Sequence, residues 1–296
     1  MQIIKMFEAK QIVFSFEIFP PKITSPIETI YKTLAALQDL KPDYISVTYG
    51  AGGNISDNRT SELSSLVKNK YGIESLAHLT CINSSKVAVD IILQNLKEQG
   101  VENILALRGD IPKQIEAIGE FNYAYELIEY IKQKNGFGIA AACYPEGHMD
   151  ADSLQQDIEA LKIKVDAGTD YLITQLFFDN NYFYDFMDLA LQKGIDIPIQ
   201  AGIMPAANKR QIERIVSLCG AAVPNKFIKI MNKYEHDQQA LQDAGIAYAV
   251  EQIIDLISSG VRGIHLYTMN NPYIARKITE NISTVLKFAN NRKDID

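Results

Sequence analysis

The sequence predicts a single (β/α)8 barrel, spanning residues 1–296 as one domain, with an extra helical insertion before the last strand. Three observations carry that prediction. Eight apolar runs end in polar, aromatic or glycine-bearing tips: FSFEIFPP, ISVTYGAGG, LAHLTC, ILALRGD, IAAACYPEGH, LITQLFFD, IQAGIMP and IHLYTMN. With one residue taken at each tip (Glu17, Thr48, His78, Gly109, Tyr144, Gln175, Ile203 and Tyr267), six successive intervals fall between 28 and 35 residues, the length of one strand and its return helix, and the last is 64. Glycines at 72, 100, 136, 168, 194 and 260 stand where a helix C-cap needs a left-handed residue before the next strand. Eight such units with no linker argue for a closed barrel over an open doubly wound sheet.

The elements follow in order. In VFSFEIFPPK, alternation sets Phe14, Phe16 and Ile18 on one face and Ser15 and Glu17 on the other, and Pro20-Pro21 ends the strand. Ser25-Pro26-Ile27-Glu28 reads as a capping box with proline at the first helical position, followed by Ile30, Tyr31, Leu34 and Leu37 at helical spacing. The same order of strand, polar tip and amphipathic helix recurs along the chain, and the 64-residue interval leaves room for an extra helix around Lys226 to Glu235.

Composition narrows the function. A 296-residue chain that is 47% hydrophobic supports a large core, and a net charge of −7 with scattered basic residues gives no footprint for nucleic acid or an anionic membrane. Cys81, Cys143 and Cys219 are far apart, which fits reduced thiols, and no signal peptide or spanning run is expected, so the expectation is a soluble cytoplasmic protein. A small-molecule partner follows.

On a barrel the strand ends converge on one face, so the tip residues are read together. They include Glu17, Thr48, Tyr49, His78, Arg108, Asp110, Tyr144, His148, Gln175 and Tyr267. Each alone has a plain structural reading, and on its strand Glu17 is as easily a paired structural acid as a functional one. No His-x-His stands on the first strand and only four histidines occur, so a catalytic metal is not expected. Lys22 and Lys164 fall on a loop and a helix, which leaves no Schiff-base lysine inside the barrel, and GxSxG, P-loop and GxGxxG motifs are absent.

Taken in sequence, FEIFPP, SVTYGAGG, HLTC, ALRGD, YPEGH, TQLFFD, GIMP and HLYTMN resemble the methylenetetrahydrofolate reductase family, from about Phe14 to Ala275. The resemblance implies an FAD-dependent enzyme that takes hydride from NAD(P)H and reduces 5,10-methylenetetrahydrofolate to 5-methyltetrahydrofolate, as a homo-oligomer and without the regulatory domain of eukaryotic relatives. It implies Glu17 and Asp110 as catalytic residues, Glu17 as the general acid with a pKa raised by burial among Phe14, Phe16, Phe19 and the flavin. It assigns FAD to Thr48, Tyr49, Ala51, His78, Arg108, Gly109, Asp110, Tyr144, His148, Ala151, Asp157 and Lys164. Folate and nicotinamide contacts fall to Glu17, Thr48, Asp110, Gln175 and Gln211.

Two departures stand out. Ala160 and Ile163 occupy positions where some members carry polar or basic cofactor contacts, and Asn271 stands where many have an arginine for the folate tail, so Arg276 is the expected substitute. The alternatives are another FAD-dependent barrel oxidoreductase of the proline dehydrogenase type, with Arg276 and Lys277 as carboxylate ligands, or a flavin-binding partner without turnover. The electron donor is expected to be NADH, since no determinant for a 2′-phosphate stands out.

Overall fold

The computed structural model describes residues 1–21, 28–49, 59–109 and 119–291. Strands β1 (Val13–Ile18), β2 (Tyr44–Val47), β3 (Glu74–Thr80), β4 (Asn103–Leu107), β5 (Gly138–Cys143), β6 (Tyr171–Thr174), β7 (Ile199–Ile203) and β8 (Gly263–Tyr267) form one closed parallel barrel in chain order. β8 closes on β1 with Ser15 opposite His265 and Glu17 opposite Tyr267. The helices are α1 (Ile4–Ala9), α2 (Glu28–Gln38), α3 (Arg59–Asn69), α4 (Lys86–Glu98), α5 (Ala124–Lys134), α6 (Leu154–Asp166), α7 (Asn180–Gln192), α8 (Lys209–Cys219), α9 (Asn225–Tyr234), α10 (Gln238–Ser258) and α11 (Pro272–Asn291).

The predicted (β/α)8 architecture is therefore the observed one, and α9 is the expected insertion, one residue earlier than the sequence suggests. The six capping glycines all have positive φ, between 67° and 114°, a conformation that side-chain-bearing residues rarely adopt. Several helices start on a residue whose side chain accepts a backbone N–H: Ser85 for α4, Ser153 for α6, Asp179 for α7, Asn208 for α8 and Asp237 for α10. The Ser25–Ile27 part of the expected capping box lies outside the described residues; Ile30, Leu34 and Leu37 are buried as α2 requires.

Strand alternation sorts the side chains into two shells. Phe14, Phe16 and Ile18 point outward and pack with Ile30, Leu34, Leu37, Ile274 and Ile278 of the helix layer. Inside the barrel, Val13, Tyr44, Leu76, Leu105, Ala140, Tyr171 and Ile173 make an apolar floor closed from below by Ile3 and Phe7, with the Phe7 and Tyr171 rings 5.1 Å apart. Along β1 the inward positions run Val13, Ser15, Glu17. The interior thus changes from apolar floor to polar middle to a carboxylate at the mouth.

Glycines make room where the interior is tightest. Tyr267 reaches across the mouth to donate to the Thr174 carbonyl at 2.7 Å, and a Cβ on Gly202 would lie 2.4 Å from that carbonyl and 2.8 Å from the Tyr267 ring. Because the backbone oxygen cannot swing away, Gly202→Ala is expected to destabilise the fold by about 1–3 kcal/mol, the usual cost of overpacking. Denaturant unfolding checks this, and an unchanged midpoint would mean that β6 and β7 separate freely.

Candidate active site

Glu17 ends the inward row of β1, and three neighbouring strands supply its surroundings. Its Oε2 lies 3.4 Å from Nε2 of His265 on β8, 3.4 Å from Oγ of Ser46 on β2 and 3.6 Å from Nε2 of His78 on β3. About a fifth of the Glu17 side chain is still open to solvent, at 19%, while His265 is fully enclosed. The ring of His265 stands edge-on to Tyr267 at 5.4 Å and stacks on Tyr44 at 6.1 Å, which fixes its plane.

In the free site Glu17 does not have the apolar surroundings expected from Phe14 and Phe16. Phe14 and Phe16 point away into the helix layer, because residues of opposite parity on a strand face opposite sides. Burial pushes the carboxyl pKa up, but the His265 hydrogen bond, the electrostatic pull of the nearby His78 and His265 rings and the Ser46 hydroxyl together hold it below the ordinary carboxylate value. Glu17 is therefore a carboxylate in the free site at neutral pH. Burial drives His78 in the other direction, down to about 4, so at neutral pH its ring is uncharged.

Backbone clamps fix the end of β1 that carries Glu17. Thr268 Oγ1 donates to the Glu17 carbonyl at 2.6 Å, and the Asn270 side-chain amide pairs with both the N–H and the carbonyl of Phe19. Met269 and Asn270 both carry positive φ, 52° and 54°, a turn that presents this amide to the end of β1.

The other sequence-predicted residues divide by place. Thr48 and Tyr49 follow β2, and Thr48 is anchored by its N–H to the Ile18 carbonyl and by its own carbonyl to Thr60 Oγ1. Gly109, with φ of 86°, follows β4, where a Cβ would press on Thr80 and Ile82 at 3.0–3.1 Å. Gln175, past β6, accepts from the Leu176 N–H. Asp110 and Ala51 lie outside the described residues.

A second cluster stands over β4, β5 and α6. Arg108 pairs with the exposed Asp150 at 2.8 Å, and the Tyr144 ring meets His148 edge-on at 4.7 Å. The turn through YPEGH is closed by the Ala151 N–H on the His148 carbonyl at 2.9 Å. Lys164 reaches in from α6 to donate to the Ala142 carbonyl at 2.6 Å, 5.8 Å from the Tyr144 ring. Burial lowers its pKa against the opposing charge of Asp157, whose own carboxyl burial raises. Of the expected α6 face, Asp157 and Lys164 turn inward, whereas Ala160 and Ile163 are exposed. A guanidinium, an ammonium and two aromatic rings in one place are chemically suited to an anionic ligand with a flat ring system.

The expected tail substitute is elsewhere. Arg276 faces Asp39 beyond the end of α2, at 3.6 Å, since the start of α11 directs it away from the mouth. A cavity of about 490 Å³ instead brings Gln211 and Asn271 together with Arg210, Arg214, Gln238 and Gln242.

His265, Ser46 and Ser15 escaped selection as site residues. Each lies two positions before a tip residue on its strand, so carrying the inward parity one step down from Tyr267, Thr48 and Glu17 would have found them. Among the described residues no cluster of His, Cys, Asp or Glu is arranged to hold a metal ion, and no helix is long and apolar enough to cross a membrane.

A (β/α)8 barrel with an acid and two histidines at the strand ends defines an enzyme-type site. A family model described as methylenetetrahydrofolate reductase matches residues 2–283. The chain is 36% identical over 264 residues to 5,10-methylenetetrahydrofolate reductase of Pectobacterium carotovorum subsp. carotovorum, covering 89% of this chain and 88% of that protein. It is 34% identical to the Escherichia coli (strain K12) protein of the same name, covering 88% and 87%. With methylenetetrahydrofolate reductase (NADH) 1 of Arabidopsis thaliana it shares 35% identity over 94% of this chain, but spans only 49% of that longer protein. A solved structure of a Clostridium thermocellum protein described as binding two copies of 5-methyl-5,6,7,8-tetrahydrofolic acid matches with a TM-score of 0.66 at 13% identity, over 97% of this chain and all of that one, a likeness of fold. The chain belongs to the methylenetetrahydrofolate reductase family.

The depressed His78 pKa sets a direction for stability. Between about 4 and the ordinary value of 6.5 the unfolded chain binds a proton at this histidine that the folded one refuses, so stability rises with pH across that window and is lost on acidification. The full shift corresponds to roughly 3 kcal/mol. Glu17, held low, acts in the same sense further into acid. Chemical unfolding from pH 7 to pH 4 should show this slope, and His78→Gln should flatten it; an equal slope in both proteins would mean that other groups dominate.

Proposed function

We propose that the protein reduces 5,10-methylenetetrahydrofolate to 5-methyltetrahydrofolate, with NADH as electron donor and FAD as the bound carrier. The observation that carries this reading is Glu17 at the mouth of a family barrel, within 3.4–3.6 Å of His265, Ser46 and His78. Bound FAD supplies hydride transfer between nicotinamide and folate. Thr48, Tyr49, Ala51, His78, Arg108, Gly109, Asp110, Tyr144, His148, Ala151, Asp157 and Lys164 would hold it, as the family resemblance implies, with Arg108 and Lys164 as cationic partners.

Glu17 supplies the proton. Opening the methylene bridge requires protonation of the departing nitrogen, and a carboxyl at the barrel mouth can take a proton from solvent and pass it to that atom. Its low pKa in the free site must rise when ligand rings cover it and exclude water, since desolvation already pushes in that direction. Gln175 and Gln211 orient the substrate.

For the folate tail, Arg210 and Arg214 are the cations beside Gln211 and Asn271, and no ion pair of either is found among the described residues. A charge-assisted bond to a tail carboxylate is worth about 1.5–3 kcal/mol. Arg214→Ala should therefore raise the folate KM several-fold with little change in kcat, while Arg276→Ala, whose side chain faces Asp39, should leave KM alone. The reverse pattern would return the tail to Arg276. Arg276 faces Asp39 and Lys277 lies 5.9 Å from the Tyr273 ring, which gives the proline dehydrogenase-type reading no support.

The experiment that tests the function separates the two half-reactions anaerobically. The purified protein should be yellow, NADH should bleach it and methylenetetrahydrofolate should restore the colour. Glu17→Gln should keep the first step and lose the second by two orders of magnitude or more, since general acid catalysis contributes about 10²–10⁴-fold. Equal loss in both steps would make Glu17 a structural acid.

A further inference from the structure

Beneath Glu17 lies a chain of buried polar groups that do not touch the reacting atoms. Ser15, Ser46, Gln200 and His265 are all fully buried in the barrel interior. The chain begins at Tyr44, whose hydroxyl donates to Gln200 Oε1 at 2.5 Å. Gln200 Nε2 in turn lies 2.8 Å from Ser15 Oγ, 2.9 Å from the Ile264 carbonyl and 3.2 Å from the Val13 carbonyl. Ser15 Oγ is 2.7 Å from His265 Nδ1, and His265 Nε2 faces Glu17 Oε2 and Ser46 Oγ, each at 3.4 Å. Gly263 makes space for this column, because a Cβ there would lie 2.9 Å from Gln200 Cγ.

The direction of each bond follows from the inventory of donors and acceptors. Turning the Gln200 amide over would set its oxygen against two backbone carbonyls, so Nε2 must face them and Ser15. Ser15 then accepts from Gln200 and has its own proton to give to His265 Nδ1. An imidazole that accepts at Nδ1 carries its proton on Nε2, the nitrogen aimed at Glu17. The carboxylate at the far end favours the same tautomer.

We infer that Ser15 and Gln200 are positioning residues for the proton chemistry of Glu17, fixing His265 as the Nε2–H tautomer so that one directed donor holds the carboxylate in place. This rests on the reading of Glu17 as proton donor. His265 acts through its hydrogen bond, and Ser15 and Gln200 act through His265.

Two locks bear on the tautomer, the chain from Gln200 and the charge of Glu17, and Glu17→Gln separates them, because a glutamine can present either its oxygen or its amide. Nitrogen NMR of ¹⁵N-histidine-labelled protein reads the tautomer directly; the chain has four histidines, and His265→Gln assigns the relevant signals. Glu17→Gln should retain a protonated Nε2 and a bare Nδ1 at His265. Glu17→Gln/Ser15→Ala should show a mixture of both tautomers, and Glu17→Gln/Gln200→Met gives the same reading from the other end of the chain if the first variant does not fold. A bare Nε2 in Glu17→Gln, or an unmixed Nε2–H in the double variants, overturns the inference.

The functional consequence is read with Glu17 present. Ser15→Ala should slow reoxidation by methylenetetrahydrofolate about tenfold relative to reduction by NADH, the scale of one hydrogen bond, and Ser15→Thr should restore it. An unchanged ratio in folded Ser15→Ala would reduce the column to a packing role. If the parent protein does not react with methylenetetrahydrofolate at all, the functional reading falls, while the tautomer measurement still decides the chain.

Discussion

A carboxylate set at the inner edge of a barrel costs free energy unless its surroundings meet it with donors, and Glu17 is met by His265 and Ser46, with His78 3.6 Å away. The rest of the interior can be understood from that requirement. Donors so placed must themselves be satisfied in a region without water, which the Ser15 hydroxyl and the Gln200 amide accomplish for His265. Below them the barrel returns to an apolar floor plugged by Phe7 and Ile3. The polar column is thus bounded by packing at one end and by solvent at the other, where chemistry can reach it.

The glycines and turns serve the same end. Gly263 and Gly202 let Gln200 and Tyr267 cross an interior that any side chain there would block. The left-handed pair Met269 and Asn270 brings an amide onto Phe19, tying the end of β8 to the end of β1. Glu17 sits between those ties, so its backbone is fixed, while its carboxylate is held by the side chains that face it.

Much of this was legible in the letters. Eight apolar runs at βα spacing, with glycines before the next strand, define the barrel because helix capping and strand length are local properties. Glu17, His78, Arg108 and Tyr144 could be selected because each ends a run. His265 and Gln200 could not be selected that way, since each sits inside an apolar run and its role depends on partners 185 to 250 residues away in the chain. The surroundings of Glu17 in the free site were hidden for a related reason: Phe14 and Phe16 are neighbours in sequence but face the other shell, and the groups that do face Glu17 come from β2, β3 and β8. The direction of Arg276 is not legible either, since Asp39, which it faces, is brought near by the packing of α11 beside α2.

The central claim is that Glu17 is an ionised, hydrogen-bonded carboxylate in the free site and becomes a proton donor only when ligand covers it. Infrared difference spectroscopy on the oxidised protein at neutral pH, with and without 5,10-methylenetetrahydrofolate, which the oxidised protein binds but cannot reduce, tests it most directly. The account predicts no protonated-carboxyl band assignable to residue 17 before binding and the appearance of one on binding, absent in Glu17→Gln. A protonated Glu17 already present in the free protein, or a carboxylate that persists under bound folate, would contradict it.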